Sequence, residues 1–177
     1  MMAEQCANYE FSKEHLDSCQ HPIVTHKENS KRYYIGDKTR QYRVGKLEYD
    51  HDYYKGNDEA ADCIFYTCSK LQGSSLKVAV VVELKGRHVE DAFSQIVATL
   101  NREKDSILRG YVILARVVSE GPTKTVQGSP KKRKLIAELI KINSKQGYPE
   151  IPSRVLFDIA SKEKNEDIRL LYSWITS

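Results

Sequence analysis

The chain has 177 residues, of which 40% are hydrophobic and 29% charged, and its formal net charge is +4. These values exclude a disordered or fibrous protein and fit one globular domain with a core of its own. The longest aliphatic run, at residues 78–82, is far too short to span a membrane. Because the first residues also lack the apolar stretch of a secretory signal, we expect a cytoplasmic protein.

The first third of the chain predicts a helix, a polar connector and then a Tyr-rich stretch. A helix is expected over residues 3–19, followed by a polar connector at 21–30. Residues 31–50 contain two Tyr-rich runs around Gly36 and Asp37, which are turn residues, so this stretch predicts a hairpin. It lies within a basic, Tyr-rich segment that covers residues 27–55.

The middle of the chain has the strongest signals. Residues 61–68 and 76–84 are β-prone and flank a turn at 72–75, which predicts a pair of adjacent strands. Apolar residues then recur at helical spacing from Val89 to about Arg102. Residues 111–118 are again β-prone. Strand, helix and strand in this order predict a βαβ unit with parallel strands.

The last third, residues 129–177, is expected to be a C-terminal extension of helices and a strand. Ser129 and Pro130 are typical of a helix start, and Gly147 of a helix end. A late strand is predicted at 154–160 and a closing helix at 166–175. The whole chain is therefore expected to be one α/β domain, with a mixed central sheet that is flanked by helices.

Charged residues end the most apolar strand. Side chains of a strand alternate between its two faces, so Glu83 and Lys85 share one face, after a run that is apolar on both faces. If the preceding turn is centred between residues 72 and 73, Asp62 lies directly opposite Glu83 on the neighbouring strand. Two carboxylates so placed repel each other unless a cation lies between them.

These residue types have a chemical use. The carboxylates of Asp62 and Glu83, together with the backbone carbonyl of Leu84, offer the hard oxygen ligands that suit Mg²⁺, for which Mn²⁺ can substitute. Such an ion acidifies a water and neutralises charge on a phosphate. Lys85 would orient that water, stabilise the transition-state anion or take up a proton. The sequence therefore predicts in-line cleavage of a phosphodiester bond.

Asp62, followed by Glu83-Leu84-Lys85 at the end of a Val-rich strand and then an amphipathic helix, resembles the PD-(D/E)xK nuclease superfamily. The resemblance covers about residues 60–118, and Ala61 stands where the motif has proline. It implies a restriction-endonuclease-like core with the order αβββαβ. It also implies a site role for Gln95 on the following helix, and for an acidic residue of the first helix, either Glu14 or Glu10.

Two basic regions are candidates for nucleic-acid contact. Cations near the start of a helix oppose its macrodipole, so the basic residues after Pro130 indicate an anionic partner. In the Tyr-rich segment, basic side chains could hold a nucleic-acid backbone while tyrosine stacks on a base. The residues concerned are Lys131, Lys132, Arg133, Lys134, Arg40, Arg43 and Tyr42. The run SPKKRK, at residues 129–134, also looks like a nuclear import signal.

Several alternatives remain open at this stage. The substrate is expected to be DNA, although RNA is open, and a double-strand cut by a chain with one active site favours a homodimer. A catalytically silent nuclease fold could instead serve as a binding or inhibitor module, and charges at a strand end are often only solvated. Cys19, His21 and His26 could contribute to a zinc site, but their spacing matches no CxxC pair.

Overall fold

A computed structural model describes residues 23–37, 39, 41–69, 76–120, 126 and 128–176. Its architecture is mixed α/β, with two mixed sheets flanked by helices. Four features expected from the sequence lie outside the described residues: the helix at 3–19 with Glu10 and Glu14, the turn at 72–75, Arg40, and the ligands Cys19 and His21.

The larger sheet has five strands in the order β3-β4-β5-β6-β7. Strand β4 is antiparallel to its neighbours β3 and β5, whereas β5, β6 and β7 are parallel. The strands are Tyr42–Glu48, Cys63–Ser69, Lys77–Lys85, Val112–Ser119 and Phe157–Ser161. The strands expected at 61–68, 76–84 and 111–118 are thus confirmed, and β7 covers the second half of the stretch expected at 154–160.

Strand β5 lies in the middle of this sheet and is buried from Val78 to Leu84. Its near-continuous apolar run is typical of a strand that is covered on both faces. Helix α1, Val89–Glu103, follows it and buries Phe93 and Ile96, so the expected helix from residue 89 to about 102 is confirmed. The chain then returns through β6, parallel to β5, as the βαβ pattern predicts.

Helix α2, Pro130–Lys145, begins at the expected proline. Ser129 takes the N-cap position but makes no side-chain cap hydrogen bond. Beyond the helix end, Gly147 has a φ of 91°, a left-handed conformation that favours glycine. Among the described residues, no helix has both the length and the apolar character that crossing a membrane requires.

The smaller sheet has the order β1-β2-β8, with strands Ile23–Glu28, Lys31–Gly36 and Glu163–Asp167. It corrects two predictions. The expected connector at 21–30 contains β1, and the expected hairpin at 31–50 is wrong, because β2 pairs with β1 whereas β3 pairs with β4. The Asp37 carboxylate accepts the backbone N–H groups of Thr39, Gln41 and Tyr42. These bonds turn the chain from one sheet into the other.

The two sheets are joined through buried polar contacts. Arg116 of β6 donates from Nε to Oε1 of Glu166 on β8 at 2.8 Å. The Tyr33 hydroxyl of β2 donates to the other oxygen of Glu166, and its ring lies 5.0 Å from that of Phe65 on β4. One face of the larger sheet is therefore covered by the smaller sheet.

The C-terminal segment supplies a strand to each sheet. Its first four residues after Pro152 form the short helix α3, Ser153–Leu156, which is why the expected strand begins only at Phe157. The charged strand β8 was not predicted. Helix α4, Ile168–Thr176, confirms the expected closing helix.

Candidate active site

The carboxyl end of β5 meets the amino end of β4 at Asp62 and Glu83, here called the acid pair. The last pair of the β4–β5 ladder is Cys63 with Val82, so one further step places Asp62 opposite Glu83. The predicted register is therefore confirmed. Both side chains lie on the face of the sheet that α1 covers, because neighbours across an antiparallel pair share a face.

Backbone groups hold both acids in place. The Asp62 N–H donates to Oε2 of Glu83 at 3.0 Å, and the Leu84 N–H donates to Oδ2 of Asp62 at 2.6 Å. Each carboxylate thus uses one oxygen to accept a hydrogen bond from the backbone across from it. Among the residues that the structure describes, Oδ1 of Asp62 accepts no hydrogen bond. Leu84 takes part through its N–H, and ligation through its carbonyl stays a prediction.

Glu83 is removed from water, and Asp62 is half-buried beside it. Glu83 is only 2% exposed, and burial, followed by repulsion from Asp62, raises its pKa to about 9. Burial also raises the pKa of Asp62, to about 6, against the lowering effect of the Leu84 N–H. The charged form of Glu83 is therefore disfavoured both by loss of water and by the neighbouring carboxylate. The interpretation of Glu83 as a merely solvated charge is excluded by its burial.

Lys85 lies beside the acid pair. Its Nζ is 3.7 Å from Oε1 of Glu83, and its side chain is 27% exposed. The same Nζ donates to Oε1 of Gln95 on α1 at 2.5 Å, and Nε2 of Gln95 donates to the Ala60 carbonyl at 3.1 Å. Gln95 therefore links the ammonium group of Lys85 to the chain segment that leads into Asp62.

A π-helical turn, Tyr49–Tyr53, supports the segment before β4. The backbone N–H groups of Tyr49 and Asp50 both donate to the Asp62 carbonyl, at 2.9 and 3.3 Å. The Tyr49 hydroxyl in turn donates to Glu103 of α1 at 2.6 Å. On the other side, the Ala61 N–H donates to Oγ1 of Thr99 at 2.8 Å. Asp62 is thus fixed by the π-helical turn, β5 and α1 together.

Charged groups surround the acid pair. Glu28 and Asp50 act to raise the pKa of Asp62 by repulsion, whereas His26 acts to lower it. Further carboxylates therefore lie near Asp62, and their charge disfavours the binding of a phosphate without a cation. A divalent cation would change the sign of that interaction.

The basic start of α2, Lys131–Lys134, lies at the same end of the sheet. Helices α1 and α2 follow β5 and β6, whose carboxyl ends lie at one edge because the two strands are parallel. The Lys131 ammonium is 3.8 Å from the Asp91 carboxylate on the first turn of α1. Lys132 lies over the Phe157 ring at 5.6 Å, whereas Arg133 and Lys134 are exposed.

The structure does not bring Tyr42 to this site. Tyr42 begins β3, opposite Ser69, whereas the acid pair lies beyond the other end of the same strands. The separation along β3 is roughly 20 Å. The Tyr42 ring packs 4.5 Å from the Tyr172 ring. The Arg43 backbone lies at the same far end, and its side chain, like Arg40, falls outside what the structure describes.

Sequence reasoning missed one cluster of metal-ligating side chains. His26, Glu48 and Cys63 come together where β1, β3 and β4 meet. His26 was considered only with Cys19 and His21. The pairing of Glu48 with Cys63 follows from the β3–β4 register, but no signal in the sequence indicated that β1 exists. The cluster could therefore not be predicted without knowing that β1 lies beside β3.

Comparison of the chain with models of protein families, with curated proteins and with solved structures gives no match.

Proposed function

We propose that this protein is a Mg²⁺-dependent nuclease that hydrolyses phosphodiester bonds in DNA. One observation carries the proposal: the buried carboxylate of Glu83 and the half-buried carboxylate of Asp62 meet at the end of a central strand, with the Lys85 ammonium 3.7 Å from Glu83. Perturbed acids with a cationic neighbour are typical of functional sites. A structural ion pair would not need a second acid.

The order of elements supports a restriction-endonuclease-like core as part of this proposal. Three antiparallel strands, β3, β4 and β5, are followed by α1 and by β6 parallel to β5. This is the βββαβ portion of the αβββαβ order. In this family the motif stands at the strand before the crossover helix. Glu83 and Lys85 lie at the end of β5, the strand before α1, and Asp62 lies across from Glu83.

The donor set fits Mg²⁺. The ion requires oxygen ligands and is usually held by one or two carboxylates with several waters. The two backbone N–H groups bind Oδ2 of Asp62 and Oε2 of Glu83. The second oxygen of each carboxylate, Oδ1 of Asp62 and Oε1 of Glu83, would therefore ligate the ion. Binding would place a divalent charge beside both carboxylates, so the burial that raises both pKa values also increases the gain from an ion.

The chain's own residues then have distinct roles. Asp62 and Glu83 hold the ion, which when bound supplies positive charge to the phosphate and acidifies a water. The Lys85 ammonium would lie beside the attacking water and the phosphate oxygens. There it would orient the water and stabilise negative charge on the phosphate. Gln95 is a positioning residue, because it fixes the Nζ of Lys85 by accepting a hydrogen bond from it.

The decisive experiment replaces Lys85 by alanine and measures cleavage and binding separately. We expect Lys85→Ala to reduce plasmid cleavage in Mg²⁺ or Mn²⁺ by at least about a hundredfold, since removal of one charge-stabilising donor typically costs this much. DNA affinity and thermal stability should stay close to those of the unchanged protein. Lys77→Ala removes a lysine at the other end of the same strand and is expected to retain cleavage.

Two outcomes would count against the proposal. Equal loss of stability and activity in Lys85→Ala would make Lys85 structural. Absence of cleavage in the unchanged protein, on DNA and on RNA, with nucleic-acid binding retained, would instead favour a catalytically silent binding or inhibitor module.

A further inference from the structure

The cluster of His26, Glu48 and Cys63 has the chemistry of a second metal site. One ligand atom from each residue lies within 4.8 Å of the other two. Nδ1 of His26 is 3.0 Å from Oε2 of Glu48, and Glu48 and Cys63 are direct partners in the β3–β4 ladder. Three strands from both sheets therefore present an imidazole, a carboxylate and a thiol to one point.

We propose that His26, Glu48 and Cys63 form a binding site for a borderline divalent cation of the zinc class. Sulfur, nitrogen and oxygen donors together match Zn²⁺, whereas Mg²⁺ prefers oxygen ligands alone. Three protein ligands leave a fourth tetrahedral position open to water or another group. This site goes beyond the proposed nuclease function and does not depend on it.

The burial of the three ligands fits a site with one open side. Cys63 is fully buried, whereas the side chains of His26 and Glu48 are 15% and 29% exposed. An ion can therefore enter past the imidazole and the carboxylate and reach the thiol behind them. On binding, the Cys63 sulfur forms its bond to the metal and its proton is released to solvent.

Lys46 is the competitor for this cation. Its Nζ contacts Oε1 of Glu48 and donates to the Thr25 carbonyl at 3.2 Å. The Lys46 ammonium thus occupies one oxygen of the Glu48 carboxylate, whereas the other oxygen faces His26. A metal ion at Glu48 has to outcompete the lysine, so loss of Lys46 should favour metal binding.

The test is a titration of the full chain with Co²⁺, which replaces Zn²⁺ and gives a strong absorption when thiolate binds it. We expect one equivalent of Co²⁺ to produce this charge-transfer band, and Zn²⁺ to remove it by competition. Cys63→Ser should abolish the band, and His26→Ala should weaken Co²⁺ binding by at least about tenfold. Lys46→Met should tighten it.

Two controls separate this site from the rest of the chain. A variant with Cys6→Ser, Cys19→Ser and Cys68→Ser keeps Cys63 and should retain the band. Asp62→Asn removes a ligand of the proposed Mg²⁺ site and should retain it too, so the two proposals can fail separately.

The proposal is overturned if the folded protein gives no band, or if the band persists in Cys63→Ser. Circular dichroism checks that each variant is folded. If Cys63→Ser fails to fold, the decision rests on His26→Ala and Lys46→Met, whose Co²⁺ affinities must move in opposite directions. Unchanged affinity in both variants would also overturn it.

Discussion

Glu83 has a raised pKa for a physical reason that also favours the binding of a cation. It is 2% exposed and lies across from a second acid, so its charged form lacks water and is repelled by Asp62. Lys85 opposes this effect only in part. A buried acid in this state lowers the stability of the fold, and such a cost is commonly tolerated where a site has a function.

This state predicts how stability depends on pH. A carboxyl whose pKa is higher in the folded than in the unfolded chain makes the folded state bind more protons, so the free energy of unfolding falls as pH rises. For Glu83 the fall runs from the ordinary glutamate value of about 4.3 to about 9. We expect Glu83→Gln to raise the free energy of unfolding at pH 8, by on the order of 1–3 kcal/mol, and much less at pH 5.

Urea unfolding at the two pH values measures this effect. Glu90→Gln replaces an exposed glutamate of α1 and serves as the matched control, for which the pH profile should stay unchanged. Mn²⁺ should stabilise the unchanged protein at pH 8 and stabilise Glu83→Gln less. If Glu83→Gln is destabilised equally at both pH values, the glutamate side chain is needed for packing, and its ionisation does not lower the stability of the fold.

Helix α2 presents cations at both of its ends, but only its start lies at the edge of the sheet where the acid pair lies. Arg133 and Lys134 are exposed near the start, whereas Lys141 and Lys145 are exposed towards the end. The basic start opposes the helix macrodipole, so it is not explained by helix stability. An anionic ligand would meet these charges at the end of the helix where the macrodipole is positive.

We therefore expect Arg133→Ala/Lys134→Ala to weaken DNA binding by about tenfold or more. The slope of log affinity against log salt should become less steep by about two, since each phosphate contact contributes about 0.9. Fluorescence anisotropy at several salt concentrations measures both quantities. Lys141→Ala/Lys145→Ala removes the same charge from the same helix and should change the slope little. Equal slopes in the two variants would mean that α2 contributes only net charge.

The elements that could be predicted are those with a strong local pattern. Strand β5, helix α1 and strand β6 each have an apolar run or period that only one structure satisfies. The β4–β5 register followed from the assumed centre of the turn. Strands β1 and β8 could not be predicted, because IVTHKE and EKNED carry mostly polar residues. Their pairing with β2 decides their structure, and strand propensity depends on such partners.

The same distinction applies to the candidate site. Asp62, Glu83, Lys85 and Gln95 could be found because they belong to adjacent, well-predicted elements, and the structure brings all four together. Tyr42 was predicted to contact nucleic acid from composition alone, and it lies at the other end of the sheet from the acid pair. The cluster around His26 required a contact between the two sheets, which no local pattern encodes.

At the scale of the whole molecule, a buried ion pair between Arg116 and Glu166 connects the two sheets. Arg116 is 1% and Glu166 8% exposed, and Arg116 also donates to the carbonyls of Ala115 and Leu156. Arg116→Met would leave a buried carboxylate without its cation. We expect a loss of about 3–5 kcal/mol in the free energy of unfolding, measured by urea denaturation.

The double variant Arg116→Met/Glu166→Gln removes both charges and should recover a large part of that loss. It keeps a hydrogen-bonding group for the Tyr33 hydroxyl. Lys141→Met breaks a pair with Glu138 at 3.5 Å, in which the lysine is exposed and the glutamate half-buried, and should change stability by less than about 1 kcal/mol. If Arg116→Met costs no more than this control, the buried ion pair does not contribute to holding the two sheets together.

The central position of β5 has a consequence for how long the acid pair survives under stress. Strands in the middle of a sheet open only when the whole domain unfolds, whereas edge strands and termini open locally and often. Glu83 and Lys85 belong to such a strand. Fluctuations at the periphery therefore leave their geometry intact, and the arrangement disappears only in the same cooperative event that destroys the fold.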